Sequence, residues 1–184
     1  MFFRKENKSP KILLIQGSLS PQSKTAILVE RAAFALRNRS IPYDILDVCT
    51  ANVDFYREGE GVKYGTSTQA ALGRITTCEG MLFCVPVYGG AVSGGVKNII
   101  DIAQQELQGK FAGLACHSAE GNSYQASIAF KELLMSRSRV TVVQPILHTE
   151  NDSFKQKIIY DEAVVDILEE MIDSLFSQLQ KRLS

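Results

Sequence analysis

The sequence predicts an α/β protein whose parallel sheet is covered by helices on both faces. Two observations carry this: strand-like and helix-like segments alternate along the chain, and three of the five strand segments are apolar throughout. A strand with one wet face alternates apolar and polar side chains, whereas a strand apolar throughout is buried on both faces, the condition of a parallel sheet between helices. The first strand is Ile12-Leu13-Leu14-Ile15, and the spacing of Ala26, Val29, Ala32, Ala33 and Leu36 predicts a helix running from Pro21. Tyr43 to Val48 alternates towards a second strand, and Met81-Leu82-Phe83-Cys84-Val85 is a continuous apolar third. Phe111 to Cys116 forms a fourth and Val140-Thr141-Val142-Val143 a fifth. Helical patterns fill 66–79, 94–107, 122–136 and 157–182; the last keeps Val164, Ile167, Leu168, Met171, Ile172, Leu175, Phe176 and Leu179 on one stripe. The apolar stripe of 94–107 (Val96, Ile99, Ile100, Ala103, Leu107) either covers the sheet or faces a second subunit. Residues 52–65, with Gly59, Gly61 and Gly65 among charges, read as a long loop that either shapes substrate access or is plain surface.

Composition narrows the function. At 184 residues and 45% hydrophobic content the chain suits one domain, 1–184, with residues 1–10 as a flexible tail. Lys+Arg and Asp+Glu are both 20, a balance that calls for neither nucleic acid nor an anionic membrane as partner. Phe2-Phe3-Arg4-Lys5 is too short for a signal segment and no apolar run approaches about 18 residues, so the expected location is cytoplasmic. Cys49, Cys78, Cys84 and Cys116 form no C-x-x-C pair and read as structural thiols. The two histidines, His117 and His148, lie far apart, so neither a metal set nor a hydrolytic triad is expected.

Ligands of such sheets bind beyond the carboxyl ends of the strands, and three loops there are candidates. The first is Gly17-Ser18-Leu19-Ser20-Pro21-Gln22-Ser23-Lys24-Thr25. It lacks the glycines of the dinucleotide fingerprint, and Ser23-Lys24-Thr25 matches the Walker loop only with its spacing one residue too long. Hydroxyls, main-chain N–H groups and a helix N-terminus gathered together suit a terminal phosphate monoester such as that of FMN, although Ser20 or Ser23 could equally serve as an ordinary helix cap. The second loop, Pro86-Val87-Tyr88-Gly89-Gly90-Ala91-Val92-Ser93-Gly94-Gly95, and the third, His117-Ser118-Ala119-Glu120-Gly121-Asn122-Ser123, present backbone that a flat ring could lie against; a turn and a helix cap are the plainer alternatives.

Gly17-Ser18-Leu19-Ser20-x-x-Ser23-x-Thr25, Pro86-Val87-Tyr88 and Ser93-Gly94-Gly95-Val96-Lys97-Asn98 together resemble the NAD(P)H-dependent FMN reductase family over most of residues 11–150. The likeness is greatest to its alkanesulfonate-utilisation flavin reductase branch. It implies a flavodoxin-like doubly wound five-stranded sheet of order 2-1-3-4-5, with FMN as cofactor and NADPH or NADH as reductant. It further implies FMN contacts at Ser18, Ser20, Ser23, Lys24 and Thr25, at Pro86, Val87, Tyr88, Gly89 and Gly90, and at His117, Ser118 and Gly121. No residue of the chain is expected to be catalytic in its own right, because the flavin carries the chemistry. A homodimer or tetramer is implied, as is a small-molecule electron acceptor or a flavin-dependent monooxygenase receiving reduced FMN. Many members place Arg where Ser20 stands here, and relatives with an iron–sulfur cluster carry closely spaced cysteines where only Cys49 occurs, so no cluster is expected. A flavodoxin-type electron carrier and a flavin-free interaction domain are the alternatives; carriers are usually acidic, and this chain is neutral.

Overall fold

The computed structural model describes residues 9–183 apart from 21, 60 and 120. Most of the tail expected over 1–10, together with Pro21 and Glu120, therefore lies outside the described residues.

The chain order is β1 (Ile12–Gln16), α1 (Lys24–Asn38), β2 (Tyr43–Asp47), α2 (Thr66–Thr77), β3 (Gly80–Tyr88), β4 (Ala91–Val92), α3 (Gly94–Ile102), β5 (Phe111–His117), α4 (Ser123–Ser138), β6 (Thr141–Val142), β7 (Leu147–Thr149), β8 (Phe154–Lys155), β9 (Ile158–Ile159) and α5 (Glu162–Leu183). The main sheet runs β2-β1-β3-β5-β6, parallel throughout, and is the expected 2-1-3-4-5 order once strands are counted as the sequence predicts them. It has seven strands rather than five, because β4 adds antiparallel to β3 and β7 adds parallel to β5.

Period-two alternation sorts the strand side chains between two cores. Leu13, Ile15, Met81, Phe83 and Val85 face α2, α3 and α4, where they meet Ile75, Ile100 and Phe130. Ile12, Leu14, Leu82 and Cys84 face α1 and α5, meeting Leu28, Leu36, Leu168 and Leu175. Each of these large side chains contributes roughly 1.5–3 kcal/mol by leaving water. The stripe Val96, Ile99, Ile100, Ala103 and Leu107 is wholly buried within the first of these cores, so it covers the sheet and is not an intersubunit surface.

Four sequence-predicted boundaries move. The helix expected from Pro21 begins at Lys24, because Ser23 caps it by accepting from the Ala26 N–H at 3.2 Å. The helix expected to reach 107 ends at Ile102 and gives way to turns. The fifth strand, expected over 140–143, is confined to β6 at Thr141–Val142, and beyond Pro145, which has no N–H for a ladder, the unpredicted β7 pairs with β5. The last helix starts at Glu162 rather than 157: Phe154 pairs with Ile159 in a hairpin, and Asp161 then accepts from the Ala163 N–H at 3.0 Å. Among the described residues no helix is long and apolar enough to cross a membrane.

Candidate functional site

The carboxyl ends of β1, β3 and β5 open onto one cavity of about 370 Å³. Its walls are Ser18, Ser20, Gln22, Ser23, Lys24, Thr25, Pro86, Val87, Tyr88, Gly89, His117 and Ala119. Of the sequence-predicted site residues, ten are thus brought to one place. Gly90, Ser118 and Gly121 lie outside this lining.

The β1–α1 loop is wound by side-chain bonds rather than by glycine. The Ser18 N–H donates to Gln16 Oε1, and the Ser20 N–H donates to Ser18 Oγ at 3.0 Å. Ser23 Oγ and Thr25 Oγ1 are 2.8 Å apart, and Thr25 Oγ1 donates to Gln16 Oε1 at 3.5 Å. Ser18, Thr25 and Gln16 are buried beneath the rim, while Ser20 is exposed. Gly17 is required by close approach, because a Cβ there would stand 2.6 Å from Val96 and 2.9 Å from Val85.

The second wall corrects a sequence expectation. Pro86, Val87 and Tyr88 are not loop but the last residues of β3, pairing through Val87 with Val92 and Tyr88 with Ala91. Gly89 and Gly90 form the two-residue turn between them, at φ +54° and +78°. Positive φ at both central residues is the type I′ signature, whose twist matches that of the flanking strands. The glycines are explained by this turn, and the Tyr88 ring stands 60% exposed at its edge.

The third wall holds His117 at the end of β5. Its Nδ1 lies 3.2 Å from Thr149 Oγ1, and its ring meets Phe154 edge-on with centroids 5.3 Å apart. Burial pushes the imidazole below its ordinary value and the neighbouring Lys24 ammonium pushes it further, against hydrogen bonds to Thr149 and Asn151. Burial and Lys24 thus both favour the neutral imidazole over the cation. Lys24 Nζ lies 5.4 Å over the opposite partner, the Phe154 ring. Ser118 is turned inward, donating to Asn122 Oδ1 at 2.6 Å, and Gly121 sits at φ +72° beside Glu150.

Sequence reasoning missed Gln16, Gln22, Ala119, Thr149 and Phe154. Gln22 carried a signal, being a polar residue within the hydroxyl loop; Gln16 reads as a strand ending, and Phe154 carried no signal, since only the fold brings it to Lys24. None of the four cysteines lines this cavity, and burial raises Cys84 far above its ordinary range and pushes Cys116 up to about 12. Cys49 donates its S–H to the Leu19 carbonyl at 3.1 Å.

The donor set fits a phosphate monoester: hydroxyls of Ser18 and Ser20, main-chain N–H groups at the start of α1, its dipole, and the Lys24 ammonium. The cavity volume is in the range of cofactor sites, about 300–1,000 Å³.

Comparison with known proteins agrees with this chemistry. The family model described as NADPH-dependent FMN reductase matches residues 10–153. The flavoenzyme NAD(P)H:(acceptor) oxidoreductase FerB from Paracoccus denitrificans superposes with a TM-score of 0.77 at 17% identity, over 94% of this chain and 98% of that one. An NADH:FMN oxidoreductase, EMOB, gives 0.72 at 21% identity over 95% and 90%. A flavodoxin from the domain Archaea gives 0.63 at 13% identity over 92% and 98%. Such identities speak for the fold alone, which is flavodoxin-like. No curated protein matches the chain.

Proposed function

The chain belongs to the NADPH-dependent FMN reductase family, a family of NAD(P)H-dependent oxidoreductases, and from that premise we propose that it binds FMN along the described cavity and passes reducing equivalents to a small-molecule acceptor. The carrying observation is that the hydroxyl-rich β1–α1 loop and the ends of β3 and β5 open onto one space. In this reading Ser18, Ser20 and Lys24 hold the phosphate through their side chains and Ser23 and Thr25 through the main chain at the start of α1, and the Pro86–Gly89 backbone with His117 borders the isoalloxazine. Gly90 shapes the turn, and Ser118 and Gly121 shape the third loop from behind. When bound, FMN supplies a hydride acceptor at N5, fed by NADPH or NADH. The protein orients the ring, donates hydrogen bonds from main chain, and keeps a neutral imidazole rather than a cation at the cavity wall.

The Pro86-Val87-Tyr88 strand end supports a place near the alkanesulfonate-utilisation branch, with reduced FMN handed to a flavin-dependent monooxygenase or another acceptor. We place the protein in the cytoplasm, as one domain, and assembled as a homodimer or tetramer. With the α3 stripe buried, the assembly would use another face; α4 leaves Tyr124, Ile128 and Met135 exposed in a row.

The test is purification and turnover. The full-length protein should be yellow or bind added FMN, and should consume NAD(P)H with FMN, a quinone or a metal oxyanion as acceptor. Absence of both flavin binding and NAD(P)H consumption would overturn the reading.

A further inference from the structure

We infer that Gln16 is the positioning residue that makes the loop selective for a phosphorylated flavin; this rests on the FMN reading above. Gln16 ends a strand that is otherwise Ile-Leu-Leu-Ile, and its side chain is 4% exposed. A buried carboxamide is costly unless hydrogen-bonded, and an apolar residue would continue the strand at no such cost. The amide is spent on the loop. Its main-chain carbonyl accepts from the Val48 N–H at 3.0 Å, which fixes the backbone, while Oε1 accepts from the Ser18 N–H and the Thr25 hydroxyl.

The Ser18 N–H can only donate, so it selects the oxygen end of the amide. The hydroxyl protons then have one consistent arrangement. Thr25 donates to Gln16, Ser23 donates to Thr25, and Ser23 accepts from the Ala26 N–H. The protons of Ser23 and Thr25 thus run inward to Gln16. Ser18 Oγ accepts from the Ser20 N–H and keeps its own proton for the cavity. One uncharged acceptor therefore sets the curvature of the loop and the direction of its hydroxyls.

Charge decides why that acceptor is Gln. A carboxylate could accept the same bonds, but it would add a negative charge under the loop assigned to the phosphate dianion. Gln16→Glu should weaken FMN binding at least roughly 30-fold, as expected for like charges a few ångströms apart at an effective dielectric near 20. Riboflavin, which has the same ring and no phosphate, should bind within about threefold of the parent. Gln16→Met removes the acceptor without adding charge and should cost FMN about tenfold, again sparing riboflavin.

The experiment is fluorescence titration of full-length protein, freed of flavin, with FMN and with riboflavin, each variant being checked by circular dichroism. Should Gln16→Glu fail to fold, Gln16→Met carries the same test. Equal FMN affinity in a folded variant and the parent overturns the inference, as does an equal loss for both flavins, which would mark a merely structural role. A parent that binds neither flavin would instead overturn the functional reading on which the inference stands.

Discussion

Ser93 joins the first and second walls of the cavity: its hydroxyl donates to the Gly17 carbonyl at 2.5 Å while accepting from the Val96 N–H at 3.4 Å as the cap of α3. Ser93→Ala removes both bonds and leaves a buried carbonyl short of a partner. The expected loss is roughly 1–3 kcal/mol in urea denaturation, with weaker FMN binding alongside. An unchanged midpoint would show that the clasp is dispensable.

Gly90 tests the turn. A Cβ at this residue would meet nothing within 4 Å, so crowding within the protein is no obstacle, and the objection to a side chain is its φ of +78°. Gly90→Val should therefore cost about 1–2 kcal/mol, whereas Gly90→Asn, a residue tolerant of left-handed backbone, should lose less than half of that. Thermal denaturation of the pair decides it; equal losses would exclude the backbone explanation.

Lys24 should act as a charge and not as packing. Lys24→Met is expected to weaken FMN binding roughly tenfold at low salt, with the gap closing near 1 M salt, where the screening length falls to about 3 Å. Riboflavin affinity should be unmoved. A salt-independent loss would mean that the methylene stem beside Phe154 mattered more than the ammonium.

The two histidines set an acid limit on stability. Both His117 and His148 are held below their ordinary value of 6.5, in each case chiefly by burial. In the unfolded chain they take up protons near 6.5, where the folded chain resists, so their contribution is fully present above that pH and is lost as pH falls towards the folded values. The urea midpoint should drop between about pH 7.5 and about pH 5.5, and the His117→Gln, His148→Gln double variant should flatten that slope. A slope unchanged by the double substitution would assign it to other groups.

The central fold was legible because burial on both faces writes itself into sequence as unbroken apolar runs, as at Ile12-Leu13-Leu14-Ile15 and Met81-Leu82-Phe83-Cys84-Val85. The strands that escaped notice, β4, β7, β8 and β9, are two or three residues long, too short for any period to show. Pro86 misled by its chemistry: proline signals loop, yet it pairs with His117 at the sheet's upper edge. The cavity-lining residues on the β1–α1 loop were visible as a cluster of hydroxyls. Gln16 was not, since one polar residue after an apolar run looks like a strand ending. Its role depends on Thr25, nine positions on, which a helical turn brings back to it.

The start of α3 touches more than the cavity. Ser93 holds the β1 loop, Gly95 lies so near β2 that a Cβ would stand 2.7 Å from Val48, and Asn98 grips the 52–65 segment twice, through the Asp54 carbonyl at 2.9 Å and the Tyr56 N–H at 2.8 Å. That segment is in turn tied to α2, where Asp54 accepts from the Gly65 N–H at 2.7 Å and from the Thr68 hydroxyl at 2.8 Å. The short stretch 93–98, the cap and first turn of α3, thus serves as a shared hub for parts of the chain distant in sequence. Under the proposed function the loop assigned to the phosphate and the 52–65 segment share one support, so substitutions at Asn98 are to be tested for both flavin affinity and acceptor preference.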